Sequence, residues 1–220
     1  MEKKVAVVAI GGNSLIKDSK HTSTADQYLA AKETAFHIVD MIESGWDVVV
    51  GHGNGPQVGF ILQKAEIAYG AIGLPMAGLD VCGAQSQGQI GYALAQNLQN
   101  ELKRRGINKP VASVIEQTVV DRNDPAFSNP TKPIGGFMTE AEAKKRKAEE
   151  GWTVIEDAGR GWRRVVASPI PQEIVELEAI RALISAGIVT ISVGGGGIPV
   201  IRREDRSEEH TSELQSHELI

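Results

Sequence analysis

Residues 5–13, VAVVAIGGN, decide the predicted fold of this chain. Residues 5–10 are all apolar, and they lead directly into Gly11 and Gly12. A short, uninterrupted apolar segment that ends in glycine is typical of a strand buried on both faces of a parallel sheet. Because glycines carry no side chain, the backbone N–H groups after the strand can approach an anion closely. The stretch therefore predicts a buried strand followed by an anion-binding turn.

Two further stretches repeat this arrangement of an apolar strand followed by glycines. They are DVVVGHGNGPQVG at residues 47–59 and IVTISVGGGGIPV at residues 188–200. In open α/β sheets, ligands bind in the crevice beyond the carboxyl ends of the strands. We therefore expect three parallel strands in one sheet, with their glycine turns together at the edge that forms the active site. The second turn precedes a predicted helix, whose N-terminus favours anions.

The overall composition limits the class of protein. The 220 residues, of which 41% are hydrophobic, suffice for one large α/β domain or for a domain with an appendage. A net charge of −5 gives no sign of a nucleic-acid partner. The apolar run at residues 5–10 is too short for a signal sequence or a membrane span, and the single Cys82 can form no intrachain disulfide. We therefore predict a cytoplasmic protein without a membrane or nucleic-acid partner.

Periodicity, caps and glycine positions predict the other elements. Helices are expected at residues 25–44, capped by Ser23 or Thr24, and at residues 57–69, 84–105, 139–150 and 173–185. Further strands are expected at residues 46–50, 111–120 and 189–193. A hairpin is expected to join strands at residues 152–157 and 162–166.

Residues 121–166 differ in composition from the rest of the chain. The segment 121–134, DRNDPAFSNPTKPI, carries three prolines and no periodicity, which predicts neither a helix nor a core strand there. The charged helix and the hairpin follow it. We expect residues 121–166 to form a small lid that protrudes from a main domain of residues 1–204.

The last segment, residues 205–220, shows no pattern that matches a core element. Its string RSEEHTSELQSH resembles the translation of a sequencing adaptor. We therefore expect residues 205–220 to be non-native and to pack on nothing. We also expect an uncovered flank near residues 188–193, because the pattern breaks off soon after that strand.

Five motifs in a fixed order carry a resemblance to a known family. They are VAIGGNSL at 8–15, GHGNGPQVG at 51–59, DPAFSNPTKPIG at 124–135, GWRRVVASPIPQEIVE at 161–176 and SVGGGGIPV at 192–200. A single glycine motif is weak evidence, whereas five in this order, including the unusual NPTKPIG, are specific. From Met1 to about Arg203, the sequence resembles the carbamate kinases of the amino acid kinase family.

The resemblance implies both a reaction and a fold. The reaction is reversible phosphoryl transfer between ATP and carbamate, giving ADP and carbamoyl phosphate, in arginine catabolism by the deiminase pathway. The implied assembly is a homodimer that uses Mg²⁺ with ATP or ADP. The implied fold is an α/β fold with a largely parallel sheet sandwiched by helices and a small protruding lid.

The candidate site residues lie in the three turns and in the lid. Phosphoryl transfer asks a protein mainly to position its substrates and to stabilise charge on the transferred group, and backbone N–H groups do both. Lys132 precedes Pro133, so its backbone is expected to be extended, and the motif match assigns its ammonium group to the anion. No residue is predicted to bind a metal directly. The expected turn residues are Gly11, Gly12 and Asn13 for the phosphoryl group, Gly53, Asn54 and Gly55 for carbamate, and Gly194, Gly195 and Gly196 for phosphate.

The sequence also departs from the family pattern. Family members continue well beyond the GGGGIPV turn into the half that binds the nucleotide, so this chain by itself is expected to have little or no activity. Two alternatives stay open: another amino acid kinase, such as an acetylglutamate or aspartate kinase, and an inactive binding or dimerisation fragment. A Rossmann dehydrogenase is disfavoured because the first glycine turn lacks the G-x-G-x-x-G spacing.

Overall fold

The computed structural model describes residues 4–16, 18, 20–204 and 208–210. The chain divides into two compact units. Unit 1 comprises the residues up to Pro56 together with Gly83–Gln117 and Ile174–Ile198. Unit 2 comprises Gln57–Cys82, Thr118–Glu173 and the residues from Pro199 onward.

Strands and helices alternate through the first half of the chain, and short strands dominate the second. The strands are β1 (Lys4–Ile10), β2 (Trp46–His52), β3 (Val111–Ser113), β4 (Gln117–Val120), β5 (Lys132–Met138), β6 (Val154–Glu156), β7 (Trp162–Val166), β8 (Pro171–Ile174), β9 (Val189–Gly194), β10 (Ile198–Arg202) and β11 (Glu208–His210). The helices are α1 (Thr24–Glu43), α2 (Gly55–Ile72), α3 (Leu79–Arg104), α4 (Pro125–Ser128), α5 (Glu140–Glu150) and α6 (Leu177–Ser185), and a 3₁₀ turn covers Gly12–Ser14. This order confirms the α/β class.

Unit 1 contains the parallel sheet that the glycine-ended strands predicted. It has four strands in the order β1-β2-β9-β3, and every pair is parallel. Ile10 lies opposite His52, and His52 lies opposite Gly194. The carboxyl ends of β1, β2 and β9 therefore lie side by side, and their turns leave from the same edge. This confirms the prediction of three parallel strands with clustered glycine turns.

Helices α1 and α3 bury apolar side chains in the same cluster as the sheet. Val39 of α1 and Leu94 and Leu98 of α3 are fully buried there with Val50 and Ile191. Each of these side chains removes from water an apolar area that contributes about 1.5–3 kcal/mol to folding. The core of unit 1 thus fixes the strands whose ends carry the turns.

The ends of α1 lie where the sequence placed them. The Ser23 hydroxyl accepts a hydrogen bond from the Asp26 N–H, and the Asp26 carboxylate accepts one from the Ser23 N–H. This reciprocal capping box satisfies two donors that the first turn of a helix leaves unpaired. Gly45 ends the helix with a φ of 89°, a conformation that glycine adopts without strain.

Strand β9 is protected on both sides. It pairs with β2 on one side and with β3 on the other, and Val189, Thr190, Ile191 and Ser192 are all buried. The expected uncovered flank near residues 188–193 is therefore wrong. The edge strands of the described sheet are β1, on which Val7 is 75% exposed, and β3.

The single strand predicted at residues 111–120 is two strands in two sheets. Strand β3 belongs to the parallel sheet, whereas β4 belongs to a second sheet in the order β11-β10-β4-β8. The break falls at Glu116, whose N–H donates to Gln87 Oε1 and whose carbonyl oxygen accepts from the Ile198 N–H. Apolar residues on both sides of Glu116 favour a strand, so the segment was predicted as a single strand although Glu116 interrupts the apolar pattern.

Two helices begin four or five residues away from their predicted starts. Helix α3 begins at Leu79 rather than at residue 84, since Gly83 is tolerated inside the helix. Helix α6 begins at Leu177 rather than at residue 173, because Pro171–Ile174 form a strand that neighbours β4. None of the helices in the described part of the chain is both long and apolar enough to span a bilayer.

Unit 2 contains a three-stranded antiparallel sheet in the order β5-β7-β6. The β6–β7 pair confirms the predicted hairpin. The one-turn helix α4, capped by Asp124, shows that the expectation of no helix within residues 121–134 was wrong. Strand β5 contains no buried residue and lies at the edge of its sheet, where a proline such as Pro133 is tolerated. The role of residues 121–166 as a lid stays a prediction.

The segment from residue 205 onward is described only in part. Strand β11 pairs antiparallel with residues 200–202 of β10. The expectation that residues 205–220 pack on nothing is therefore wrong for Glu208–His210, because the backbone of that tripeptide extends a sheet. The rest of the segment lies outside the described residues, and its non-native origin stays a prediction.

Candidate active site

The turns after β1 and β2 touch through their glycine backbones. A Cβ on Gly53 would lie 2.6 Å from the amide nitrogen of Gly12 and 3.1 Å from its Cα. The Gly53 N–H donates to the carbonyl oxygen of Ile10 at 2.7 Å, which continues the strand pairing into the turn. Only glycine allows two turns to approach so closely.

Backbone N–H groups at this contact are available to a ligand. The position of a Cβ on Gly12 would be 3.4 Å from the amide nitrogens of both Asn54 and Gly55. Within the described residues, the N–H groups of Gly12, Asn54 and Gly55 donate no hydrogen bond to the protein. Gly55 also begins α2, an 18-residue helix whose N-terminus carries a partial positive charge. Such a group of donors binds oxyanions.

The end of β9 is distorted by a bulge. The pairing of β2 with β9 shifts register between Val50 and His52, so that Gly51 faces two residues of β9. One of them, Val193, has a φ of 56°, a left-handed conformation that β-branched residues rarely adopt. Strain of this kind costs about 1–3 kcal/mol and clusters at functional sites. The bulge redirects the glycine turn that follows.

The turn after β9 packs against the turn after β2. The Gly195 N–H donates to the carbonyl oxygen of His52 at 2.7 Å. A Cβ on Gly194 would lie 2.9 Å from the His52 ring, and a Cβ on Gly195 would lie 2.2 Å from the Asn54 side-chain amide. At Gly196 nothing lies within 4 Å of such a Cβ, but the φ of 86° itself favours glycine. The structure therefore brings all three predicted turns together.

A buried polar network, which sequence reasoning missed, supports the turn after β9. The Gln87 side-chain amide donates to the carbonyl oxygens of Glu116, at 3.2 Å, and Gly194, at 3.0 Å. The Ser192 hydroxyl donates to Glu116 Oε2 at 3.2 Å. The side chains of Gln87, Glu116 and Ser192 are at most 2% exposed. The available signal was a single acidic residue between two short apolar segments.

His52 lies inside this edge as a neutral group. The residue is 5% exposed, and burial lowers the pKa of its imidazole. Its Nδ1 lies 3.1 Å from the Gly53 carbonyl oxygen and donates to it, a hydrogen bond that opposes the effect of burial on the pKa less strongly. His52 therefore supports the turn without adding charge to the site at neutral pH.

Lys132, Gly11 and Asn13 are the remaining predicted site residues. Lys132 is exposed and is the first residue of β5 in unit 2, and its backbone is extended, as its place before proline predicted. Its approach to the glycine turns stays a prediction. Gly11 ends the run from β1, and its carbonyl oxygen accepts from the Ser14 N–H at 2.9 Å, which closes the 3₁₀ turn that contains Asn13.

Comparison with known proteins identifies the family. A carbamate kinase from Clostridium perfringens is 51% identical over 203 residues, covering 92% of this chain and 65% of the relative. A carbamate kinase from Thermococcus kodakarensis is 47% identical over 218 residues, covering 99% of this chain and 67% of the relative. The chain belongs to the carbamate kinase family.

A solved structure of the family agrees with this assignment. The Giardia lamblia carbamate kinase bound to AMP-PNP matches with a TM-score of 0.85 at 38% identity, covering 99% of this chain and 71% of that one. The fold and the resemblance read from the sequence are thereby confirmed. The chain spans about two thirds of the length of these family members, and slightly less, 65%, of the one from Clostridium perfringens. No family model matches the sequence.

Proposed function

We propose that the edge of the unit 1 sheet formed by the glycine turns after β1, β2 and β9, which we call the glycine edge, is the substrate site of a carbamate kinase. Such an enzyme transfers a phosphoryl group between ATP and carbamate. The contact of Gly12 with Gly53 carries the proposal, because it groups three N–H donors that have no acceptor among the described residues. Carbamate and the transferred phosphoryl group are both oxyanions that such donors stabilise. Family membership, with a relative that binds a nucleotide analogue, supports the same reaction.

The three turns take different parts of the reactants in this proposal. The turn after β1 holds the phosphoryl group, the turn after β2 holds carbamate, and the turn after β9 holds phosphate. Transfer in either direction then requires little movement, because the turns already touch and the donors are fixed to a buried sheet. The residues proposed are Gly11, Gly12 and Asn13, then Gly53, Asn54 and Gly55, and then Gly194, Gly195 and Gly196.

Lys132 supplies the positive charge in this proposal. Its side chain is exposed on an edge strand, so its ammonium group is free to meet the anion. Negative charge accumulates on the oxygens of the transferred group in the transition state, and a cation there lowers the barrier. Lys132 is therefore proposed as the catalytic side chain that this chain contributes.

Magnesium is proposed to enter with ATP or ADP. In the portions of the chain that the structure describes, no three His, Cys, Asp or Glu side chains are grouped to hold a metal ion. Mg²⁺ commonly keeps several waters and binds through nucleotide phosphates rather than through a cage of protein ligands. The N–H donors of the turns fit the phosphates of such a complex, and Mg²⁺ would supply charge neutralisation there.

Assembly, location and pathway complete the proposal. Exposed apolar and aromatic side chains on α1 and α3, among them Leu29, Phe36 and Tyr92, support a homodimer that would cover them. A cytoplasmic location and a role in arginine catabolism by the deiminase pathway are proposed from the family resemblance. We propose no nucleic-acid or membrane partner.

The test compares this chain with a chimera. In the chimera, residues 1–203 are followed by the part of the Thermococcus kodakarensis relative that comes after the counterpart of Arg203. Each protein is mixed with ADP, Mg²⁺ and carbamoyl phosphate, and ATP formation is followed with luciferase. We expect turnover by the chimera and little or none by the 220-residue chain. Lys132→Met in the chimera should lower kcat by about 100-fold or more, the loss typical of a removed charge-stabilising group.

Controls separate the alternatives. Lys147→Met, which changes an exposed lysine on α5, should leave turnover unchanged. A chimera that phosphorylates N-acetylglutamate and ignores carbamate would instead be another amino acid kinase. A folded, dimeric chimera without turnover on either substrate would favour a binding or dimerisation protein.

A further inference from the structure

A cavity in unit 2 is lined by none of the residues proposed for phosphoryl transfer. It has a volume of about 100 Å³ and is lined by α2, β5, α5, Trp152 and β7. All of its lining residues belong to unit 2. Two charged side chains that face it, Arg164 and Glu66, distinguish it from an ordinary packing gap.

Arg164 is a partly buried cation without a hydrogen-bonded partner. Its guanidinium carbon lies 4.5 Å from the centroid of the Trp152 ring. Within the described residues, the guanidinium group donates no hydrogen bond and forms no ion pair. Burial lowers the pKa of Arg164, against the attraction of Glu66 and Glu150. A guanidinium group has five N–H donors, so Arg164 can donate hydrogen bonds to an anion in the cavity.

Arg146 packs on the same Trp152 ring as Arg164 but is paired with carboxylates. Its guanidinium carbon lies 5.0 Å from the centroid of the same Trp152 ring. Unlike Arg164, it is paired with Glu150 and lies 3.9 Å from a carboxylate oxygen of Glu142. Carboxylates therefore balance the charge of Arg146 at ion-pair distance, whereas Arg164 has no ion pair among the described residues.

Glu66 is the complementary case on α2. Burial raises the pKa of its carboxyl group, against the attraction of Arg146 and Arg164. In the part of the chain that the structure describes, its carboxylate accepts no hydrogen bond and reaches no cation at ion-pair distance. Glu66 and Arg164 thus face one cavity, attract each other, and are too far apart to pair directly.

The charges of the cavity select the kind of molecule that fits it. An anion without a positive group would be opposed by Glu66 and Glu142, and a cation without a negative group by Arg164 and Arg146. A molecule that carries both charges satisfies both sides, because each partly buried charge then gains an opposite partner.

The remaining walls and the volume restrict the size of that molecule. Leu62, Phe137 and Met138 make part of the lining apolar. A volume of about 100 Å³ is far below the roughly 300–1,000 Å³ of pockets for drug-sized ligands. A short aliphatic group is therefore the largest side chain that the cavity accommodates. We propose that the cavity binds a small zwitterionic amino acid, with its carboxylate on Arg164 and its ammonium group on Glu66.

Three matched probes test the proposal by isothermal titration calorimetry on the 220-residue chain. The probes are L-alanine, propionate, which lacks the ammonium group, and ethylamine, which lacks the carboxylate. L-alanine should bind saturably, and each of the others should bind about tenfold more weakly or worse, because it leaves one charge in the cavity unpaired. Quenching of tryptophan fluorescence provides a second readout, since Trp152 lines the cavity.

Two variants assign the two charges. Arg164→Met should weaken L-alanine binding by about tenfold or more. Glu66→Gln should reduce the preference for L-alanine over propionate to about threefold or less, a change in selectivity that a general loss of structure does not produce. The matched control is Arg181→Met, which alters an exposed arginine on α6 and should leave L-alanine affinity unchanged.

Several results would overturn the proposal. Propionate binding as tightly as L-alanine would make the cavity a simple anion site, and the absence of saturable binding by all three probes would remove the site. If Arg164→Met fails to fold, as judged by near-ultraviolet circular dichroism, an unchanged selectivity in Glu66→Gln still contradicts the assignment. No nucleotide or carbamoyl phosphate is present in these titrations, so their failure leaves the proposed phosphoryl transfer untouched.

Discussion

The glycine edge of unit 1 and the β5-β7-β6 sheet of unit 2 position their polar groups by opposite means. At the glycine edge, Gly12 and Gly53 meet backbone to backbone, and the donors are N–H groups fixed by a buried sheet. In the β5-β7-β6 sheet with the adjoining helix α5 and residues 151–161, which we together call the arginine-rich sheet, long arginine side chains lie on aromatic rings, as Arg146 and Arg164 do on Trp152. The first arrangement depends on absent side chains, and the second depends on side chains that are present, flexible and partly exposed.

This difference decides how each region responds to change. A contact made by absent side chains has no space for one more carbon atom, because the neighbouring backbone cannot rotate away. A contact made by a long side chain at a surface can be shortened at little cost, because water replaces the lost partner. We therefore expect stability to respond strongly to small changes in unit 1 and weakly to large ones in the arginine-rich sheet.

The largest effect is expected from Gly53→Ala. The added Cβ would lie 2.6 Å from the Gly12 amide nitrogen, so the turns must move apart or the strand pairing that ends at Ile10 must shift. The free energy of unfolding should fall by about 3 kcal/mol, the upper part of the range for overpacked sites. Urea denaturation monitored by far-ultraviolet circular dichroism measures this loss.

The matched control for that variant is two residues away. A Cβ on Gly55 meets nothing within 4 Å, and Gly55→Ala places alanine at the first residue of α2. Its unfolding free energy should stay within about 0.5 kcal/mol of the parent. Equal losses in Gly53→Ala and Gly55→Ala would show that the contact between the two turns is not what makes the edge sensitive.

The glycine edge could be predicted from the sequence because local rules place it. An apolar run followed by glycine fixes a buried strand and its turn, and parallel strands then bring their carboxyl ends to the same edge. The supporting network was not predictable in the same way. Gln87 and Glu116 are 29 positions apart. No local sequence pattern indicates that a glutamine on a helix will bond to the residue at which the chain passes from one sheet to another.

The arginine-rich sheet was predictable only in outline. The turn residues at 158–161 predicted the hairpin. No sequence pattern predicted that Arg146 and Arg164 share one tryptophan ring, or that of the two only Arg146 is paired with carboxylates. Such contacts depend on rotamers of long side chains that are distant in the sequence. For the same reason, Lys132 could be assigned from the motif NPTKPIG, but its approach to the anion could not be derived from spacing.

A loss of stability of intermediate size is expected when the pH is lowered, and it should begin at a different pH in each of the two regions. Burial holds the pKa of His52 below its ordinary value of 6.5, so the folded state binds fewer protons than the unfolded state once the pH falls below that value. The hydrogen bond from Arg160 holds the pKa of Asp157 below 3.8, so its stabilising contribution is lost only near and below that pH. Unit 1 should therefore begin to lose stability at a higher pH than the arginine-rich sheet.

The measurement is the unfolding free energy between pH 7.5 and 4.5 for the parent and for His52→Gln. A single group whose pKa is lowered can add a slope of up to about 1.4 kcal/mol per pH unit, with stability falling as the pH falls. His52→Gln should remove that slope below about pH 6.5, and Asp157→Asn should leave it unchanged. A slope that persists in His52→Gln would mean that another group titrates in this window.

The smallest loss of stability is expected from Arg160→Met, which tests whether the arginine-rich sheet tolerates the loss of a long side chain. The Arg160 guanidinium lies 5.3 Å from the centroid of the Phe137 ring and pairs with Asp157 at 2.7 Å, yet its side chain is 64% exposed. Exposed cation–π contacts and surface ion pairs each contribute about 0.5–1 kcal/mol or less, and methionine keeps part of the contact with the ring.

We therefore expect Arg160→Met to lower the unfolding free energy by about 0.5 kcal/mol. Arg181→Met is the matched control, since the Arg181 side chain is as exposed as that of Arg160, pairs with Glu178 and, among the described residues, lies on no aromatic ring. The difference between the two variants gives the combined contribution of Phe137 and of the more buried carboxylate of Asp157. A loss of about 2 kcal/mol or more in Arg160→Met, comparable to that of a buried unpaired group, would show that the arginine–aromatic contacts are as intolerant of change as the glycine edge.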